Sequence, residues 1–184
     1  MGLDMYLTKK TYVKHWNHNK ENFDITVTKG GSPVSHIQPK RVSYIEEEVG
    51  YWRKANQIHS WFVENVQKGE DDCGDYWISD EQMQELLDTV RQVLASVELI
   101  DGVVQNGSHA SKETGGKWEP ILEKGKIVDN SDTAEKLLPA TSGFFFGSTD
   151  YDEYYIDNLK RTEEILVSAL AEAQHGDFYY HSSW

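Results

Sequence analysis

Tyr51-Trp52-Arg53-Lys54 sets a guanidinium fork and an ammonium beside two aromatic rings. Such a fork pairs with phosphate through two parallel hydrogen bonds, and a ring face takes a stacked base or a cation. The four residues fall at the expected start of a helix, where positive charge opposes the helix dipole, so helix stability does not account for them. The competing reading pairs Arg53 with a carboxylate and packs Trp52 in the core. Asn56 carries an amide that both donates and accepts, and it can read a base edge or a ribose. His59 shares the apolar stripe of the same segment and reads as a core histidine. A second cluster lies in Gly143 to Tyr155, where a Phe144 to Phe146 strand stops and a helix begins. Ser148, Thr149 and Tyr151 sit at that junction. Free backbone N–H groups at a helix start favour anions, yet Asp150, Asp152 and Glu153 oppose phosphate there and favour hydroxyls, ribose or an amino group. The same side chains also serve as helix caps. The expected ligand-binding set is therefore Tyr51, Trp52, Arg53, Asn56, Ser148, Thr149 and Tyr151, with no catalytic residue, no metal and no cofactor.

Other reactive groups lead to weaker chemistry. Asp71, Asp72 and Asp75 in one turn, or Asp150, Asp152 and Glu153 in another, could hold Mg²⁺ or Mn²⁺ for phosphodiester hydrolysis, but their spacings match no metal motif. His109-Ala110-Ser111 and His181-Ser182-Ser183 match the paired histidine-x-serine elements of two-histidine phosphoesterases only superficially, since His109 falls in a loop-like region. Cys73 stands beside two aspartates that disfavour its thiolate, which excludes a cysteine hydrolase.

Composition bounds the partners. The chain of 184 residues carries 31 acidic and 18 basic side chains, a formal net charge of −13. That charge repels nucleic-acid backbones and anionic membranes, so neither polymeric nucleic acid nor a membrane is an expected partner. A small anion held by one or two arginines remains open. A single cysteine excludes an internal disulfide framework and suits a reducing cytosol, and no segment is apolar enough to span a bilayer. Six tryptophans and ten tyrosines exceed what a core of this size needs, which favours interfaces and ligand stacking.

The elements that must position these groups follow from periodicity. Alternation predicts strands over Gly2 to Thr8, around Phe23, Ile25 and Val27 ending at the Gly30-Gly31 turn, over Arg41 to Gly50, over Tyr76 to Ile78 and over Phe178 to Trp184. Tyr12 to Glu21 reads as loop. Trp52 to Lys68 reads as a helix with Ala55, Ile58, His59, Phe62, Val63 and Val66 in one stripe and Gly69 at its end. Ser79 with Gln82 forms a capping box that opens a second helix, its buried face Met83, Leu86, Leu87, Val90, Leu94 and Val97. Residues 98–130 read as a flexible insertion or hairpin, and Ala134 to Leu138 as one helical turn. A third helix spans Tyr151 to Gln174, with Tyr155, Leu159, Thr162, Leu166, Ala169 and Ala173 inward. The expected fold is a single α+β domain of about five short, mainly antiparallel strands and three amphipathic helices.

Met1-Gly2-Leu3-Asp4-Met5-Tyr6-Leu7, Tyr51 to Asn56 with Ile58-His59 and Trp61-Phe62, the turn Asp71-Asp72-Cys73-Gly74 and the Gly143 to Tyr155 run resemble a family of small acidic phage and prophage proteins. The resemblance implies expression in the cytosol of an infected bacterium and a role against host immunity. It implies a sponge that sequesters a small nucleotide-derived signal, of cyclic oligonucleotide or cyclic ADP-ribose type, without cleaving it. The alternatives are a metal-dependent phosphodiesterase acting on that signal and an inhibitor of a host defence protein. A homo-oligomer is expected, paired through aromatic surface and the last strand ending in Trp184. Alanine at Arg53 is expected to abolish capture while leaving the fold intact.

Overall fold

The computed structural model describes residues 2–14, 25–110, 118–142 and 149–184. The expected loop beyond Lys14, Phe23, the Phe144 to Phe146 strand and Ser148 lie outside the described residues. The architecture is α+β, and every strand pair is antiparallel. A four-stranded sheet runs in the order β4 (Tyr44–Arg53), β1 (Asp4–Tyr12), β8 (Asp177–Ser183), β5 (Asp75–Ile78). Period-two alternation turns Met5, Leu7, Trp52, Ile78, Phe178 and Tyr180 to one face, all buried. Helices α1 (Asn56–Asn65), α2 (Asp80–Ser96) and α4 (Glu153–Ala171) add the rest of the core through Ile58, Phe62, Met83, Leu86, Val90, Leu159 and Leu166. Among the described residues no helix is long and apolar enough to cross a membrane.

Phe62 of α1 lies flat on Tyr180 of β8, with ring centroids 3.8 Å apart and planes 7° from parallel. Trp52 meets Phe62 edge-on at 5.9 Å. Its indole N–H, which burial would otherwise leave unsatisfied, donates to Thr162 Oγ1 of α4 at 2.9 Å. Three aromatic rings thus tie β4, α1 and β8 together, and one hydrogen bond adds α4.

The structure moves one boundary that matters for function. β4 does not stop at Gly50 but continues through Arg53, and α1 begins only at Asn56. Tyr51, Trp52 and Arg53 are therefore strand residues, alternately outward, inward and outward. Aromatic side chains suit a pleated surface. Lys54 then breaks the strand in a left-handed conformation (φ 58), its N–H held by Leu3 O at 2.8 Å. The α2 start has the expected capping box: Gln82 N donates to Ser79 Oγ at 3.2 Å and Ser79 N to Gln82 Oε1 at 3.0 Å. Val93, not anticipated, joins its buried face, whereas Leu94 and Val97 are half-buried. The cap of α4 is Asp152, whose Oδ1 accepts from Tyr155 N at 3.0 Å, and Thr149 is exposed ahead of the helix.

Residues 98–130 contain a two-stranded hairpin, β6 (Leu99–Ala110) with β7 (Trp118–Val128). The Gly30-Gly31 turn joins the two-residue strands β2 (Thr28–Lys29) and β3 (Ser32–Pro33), and the helical turn before Pro139 is α3 (Asp132–Leu137). These pieces bring the described elements to eight strands and four helices.

Gly50 of β4 faces Ile165 of α4. A Cβ there would stand 2.4 Å from Ile165 Cγ2 and 3.2 Å from Leu7 Cβ. Overpacking of this kind costs about 1–3 kcal/mol. Gly50→Ala is expected to lose stability in that range by urea unfolding, and to lose clearly less in an Ile165→Ala background, where the opposing methyl is gone. Equal losses in both backgrounds would show that the contact is not the cause.

Candidate functional site

Three- and four-residue spacing along α1 places Asn56, His59, Ser60, Val63 and Glu64 along one side of the helix. That side, with Leu3, Asp71, Thr141, Ser142 and Trp184, lines a cavity of about 280 Å³. Asn56 is buried, Trp184 is 44 % exposed, and Glu64 is exposed. Two tyrosines hold the wall that carries Thr141 and Ser142. Tyr155 OH donates to Leu138 O at 2.7 Å, and Ala140 N donates to Tyr151 OH at 2.9 Å. Tyr151 therefore supports the cavity from behind, packed edge-on against Tyr155 at 5.0 Å.

His59 links the cavity to the core. Its Nδ1 lies 2.7 Å from Tyr180 OH and its Nε2 lies 3.0 Å from Asp71 Oδ1. Burial pushes the Tyr180 phenol well above its ordinary value, so the phenol keeps its proton and donates it to Nδ1. Nε2 then carries the ring proton and donates to Asp71. Burial lowers the imidazole below its ordinary value, and the Asp71 carboxylate pulls only partly the other way. His59 is neutral at pH 7 with both nitrogens engaged. The expectation of a satisfied histidine on the apolar stripe describes its bonding, but its ring also lines the cavity.

The structure separates the residues expected to form one pocket. Asn56 lies in the cavity. Trp52 is 2 % exposed, so its faces are in the core and offer nothing to stack upon. Tyr51 and Arg53 occupy the opposite face of the sheet. There Tyr51 OH donates to Asp4 Oδ1, which holds the phenol above its usual range, and Arg53 Nε lies 3.9 Å from the same oxygen. Tyr6 bridges Tyr51 at 5.4 Å and His181 at 6.0 Å on that face. Thr149 is exposed and is not among the cavity's lining residues.

Among the described residues no three His, Cys, Asp or Glu side chains converge as a metal site. The acidic turns have other partners: Asp71 meets His59, Asp72 Oδ1 accepts from Gly74 N at 2.8 Å, and Glu153 Oε1 accepts from Lys126 N at 3.2 Å. Comparison of the chain with models of protein families, with curated proteins and with solved structures finds no match.

Of the lining residues, sequence reasoning expected only Asn56 to bind; His59, Val63, Asp71 and Trp184 were read in other roles, and Leu3, Ser60, Glu64, Thr141 and Ser142 were missed as lining. Ser60 and Glu64, four and eight residues after Asn56 on α1, carried a helical-spacing signal; Leu3, Thr141 and Ser142 are brought in by tertiary contact alone.

The His59 shift has a definite sign. Above pH 6.5 the imidazole is neutral in both folded and unfolded chains. Below it the unfolded state takes a proton that the folded state refuses, so stability falls as pH falls toward the folded value. His59→Gln should remove that component. Urea unfolding at pH 7.5 and 5.5 is expected to show a smaller loss for the variant than for the parent; an identical loss would mean that His59 is not depressed.

Proposed function

We propose that this protein captures a small nucleoside-bearing ligand and does not turn it over. The reading rests on the His59 geometry: Nε2–H donates to Asp71, and the basic nitrogen Nδ1 is turned to Tyr180 OH, a hydroxyl fully buried in the core and outside the cavity lining. The ring therefore presents no proton acceptor to a ligand. The lining supports binding of a ring with hydroxyls. Trp184 supplies a stacking surface; Asn56, Ser60, Thr141 and Ser142 supply donors and acceptors; Leu3 and Val63 supply apolar walls. A volume of about 280 Å³ suits one nucleoside rather than a whole cyclic dinucleotide.

The charge distribution refines this. The lining contains Glu64 and Asp71 and neither arginine nor lysine. Phosphates then belong outside, toward Lys54, whose N–H is held by the cavity residue Leu3 and whose side chain lies over Gly2. In the setting that the family resemblance implies, the captured molecule is a nucleotide-derived immune signal, and the protein acts as its sponge in the cytosol of an infected bacterium.

The test is to incubate the protein with cyclic dinucleotides, cyclic trinucleotides and cyclic ADP-ribose isomers, remove free ligand, denature, and weigh what is released. Intact ligand in stoichiometric amount is expected. Asn56→Ala and Trp184→Ala should each weaken capture about tenfold, or about 1.4 kcal/mol. Altered ligand in excess of protein would make this an enzyme. Capture lost in Arg53→Ala but kept in Asn56→Ala would move the site to the outer sheet face.

A further inference from the structure

The β6–β7 hairpin differs in charge from the rest of the chain. Residues 99–128 hold four carboxylates, Asp101, Glu113, Glu119 and Glu123, and four lysines, Lys112, Lys117, Lys124 and Lys126, so the formal −13 resides in the remainder. The register pairs Asp101 with Lys126, Val103 with Lys124 and Gln105 with Leu122, which puts these six on one face. The opposite face, with Gly102, Val104, Gly125 and Ile127, is turned to the start of α4. A Cβ on Gly125 would stand 2.6 Å from Cγ2 of the buried Val104, which favours glycine there. On the outward face Val103 is 60 % and Leu122 63 % exposed, diagonal neighbours across the ribbon. Lys126 Nζ lies 3.3 Å from Asp101 Oδ1 beside them. Among the described residues no third strand pairs with either edge. The inner face is covered at the start of α4, whereas Val103 and Leu122 leave an adjoining apolar pair uncovered on the open face.

We propose that the arm is a self-association surface, on which the outward faces of two copies pack about a two-fold axis. Val103 and Leu122 of each copy meet those of the other. Charge selects this occupant. The bodies repel each other, so two copies meet most easily where the chain is neutral. The outward face also carries both signs, and a two-fold operation can set Lys124 of one copy against Asp101 of the other. This places the contact on the hairpin and not on the last strand.

Sedimentation velocity on the full chain, from roughly micromolar to roughly 100 µM, reads the association directly. A dimer is expected. Because the bodies repel, added salt should strengthen it. Val103→Asp with Leu122→Asp should weaken it at least about tenfold, with an unchanged urea midpoint at a dilution where the parent is monomeric. Should that variant not fold, Leu122→Cys in a Cys73→Ser background is expected to give an intermolecular disulfide on mild oxidation, and its absence would count against the proposal. A chain that stays monomeric throughout, or a dimer indifferent to the aspartates, overturns it. A dimer that salt dissolves points to an arm docked on an acidic body instead.

Discussion

A phenolic hydroxyl deep in the core is the constraint from which the site follows. Tyr180 must be inside, because its ring carries the stack that fastens α1 to the sheet. Its O–H then needs an acceptor, since a buried hydroxyl left unpaired costs about 1–3 kcal/mol. The acceptor comes from the same helix as the stacking partner: His59 lies three residues before Phe62 and so falls on the same side of α1. Once its Nδ1 is committed to Tyr180, the ring proton must sit on Nε2, and the turn before β5 supplies Asp71 to receive it. Packing, tautomer and the position of an acidic turn are one linked solution.

Lys9 shows the same logic with charge. It lies on the inner face of β1, side chain 7 % exposed, where a lone ammonium would be costly. Glu47 of β4 lies 3.1 Å from it, and Glu172 at the end of α4 hydrogen-bonds it. A carboxylate at a helix C-terminus is unfavourable by itself because it adds to the negative end of the dipole. Lys9 offsets that, and the hydrogen bond to Glu172 is the chief reason its ammonium is held above the ordinary lysine range. One cation thereby joins two strands and a helix in a chain with a large acidic excess.

How much of this was legible depended on whether the signal was local. The capping box at Ser79 and Gln82, the Gly30-Gly31 turn and the inward stripe of α4 are set by neighbours in sequence and can be read from it. The α1 boundary was not, because Tyr51 to Lys54 fit either a strand end or a first helical turn. Antiparallel pairing with Tyr6, Met5 and Asp4 of β1, about fifty residues away and closed by the Lys54 N–H to Leu3 O bond, decides between them. That decision sent Trp52 into the core and Arg53 to the far face. Asn56 was legible because it lies on the helix under either boundary. Thr141 and Ser142 reach the cavity through two tyrosine hydroxyls on α4 and its approach, a contact no spacing rule encodes.

The carboxylates at the cavity bear on what it can discriminate. Two unit charges about 4 Å apart interact by about 4 kcal/mol at an effective dielectric of about 20. Asp71 is half-exposed and already accepts from His59, so solvent screening leaves a phosphate beside it a penalty well below that limit, and one that falls with separation. Removing Asp71 would not simply relieve this, because His59 Nε2–H would lose its acceptor and the Tyr180 hydroxyl its fixed partner. The carboxylate that repels phosphate is therefore the one that keeps the core hydroxyl satisfied. Under the proposed reading, exclusion of anions from the cavity is thus tied to the stability of the fold, and a phosphate of the ligand is accommodated beyond its rim.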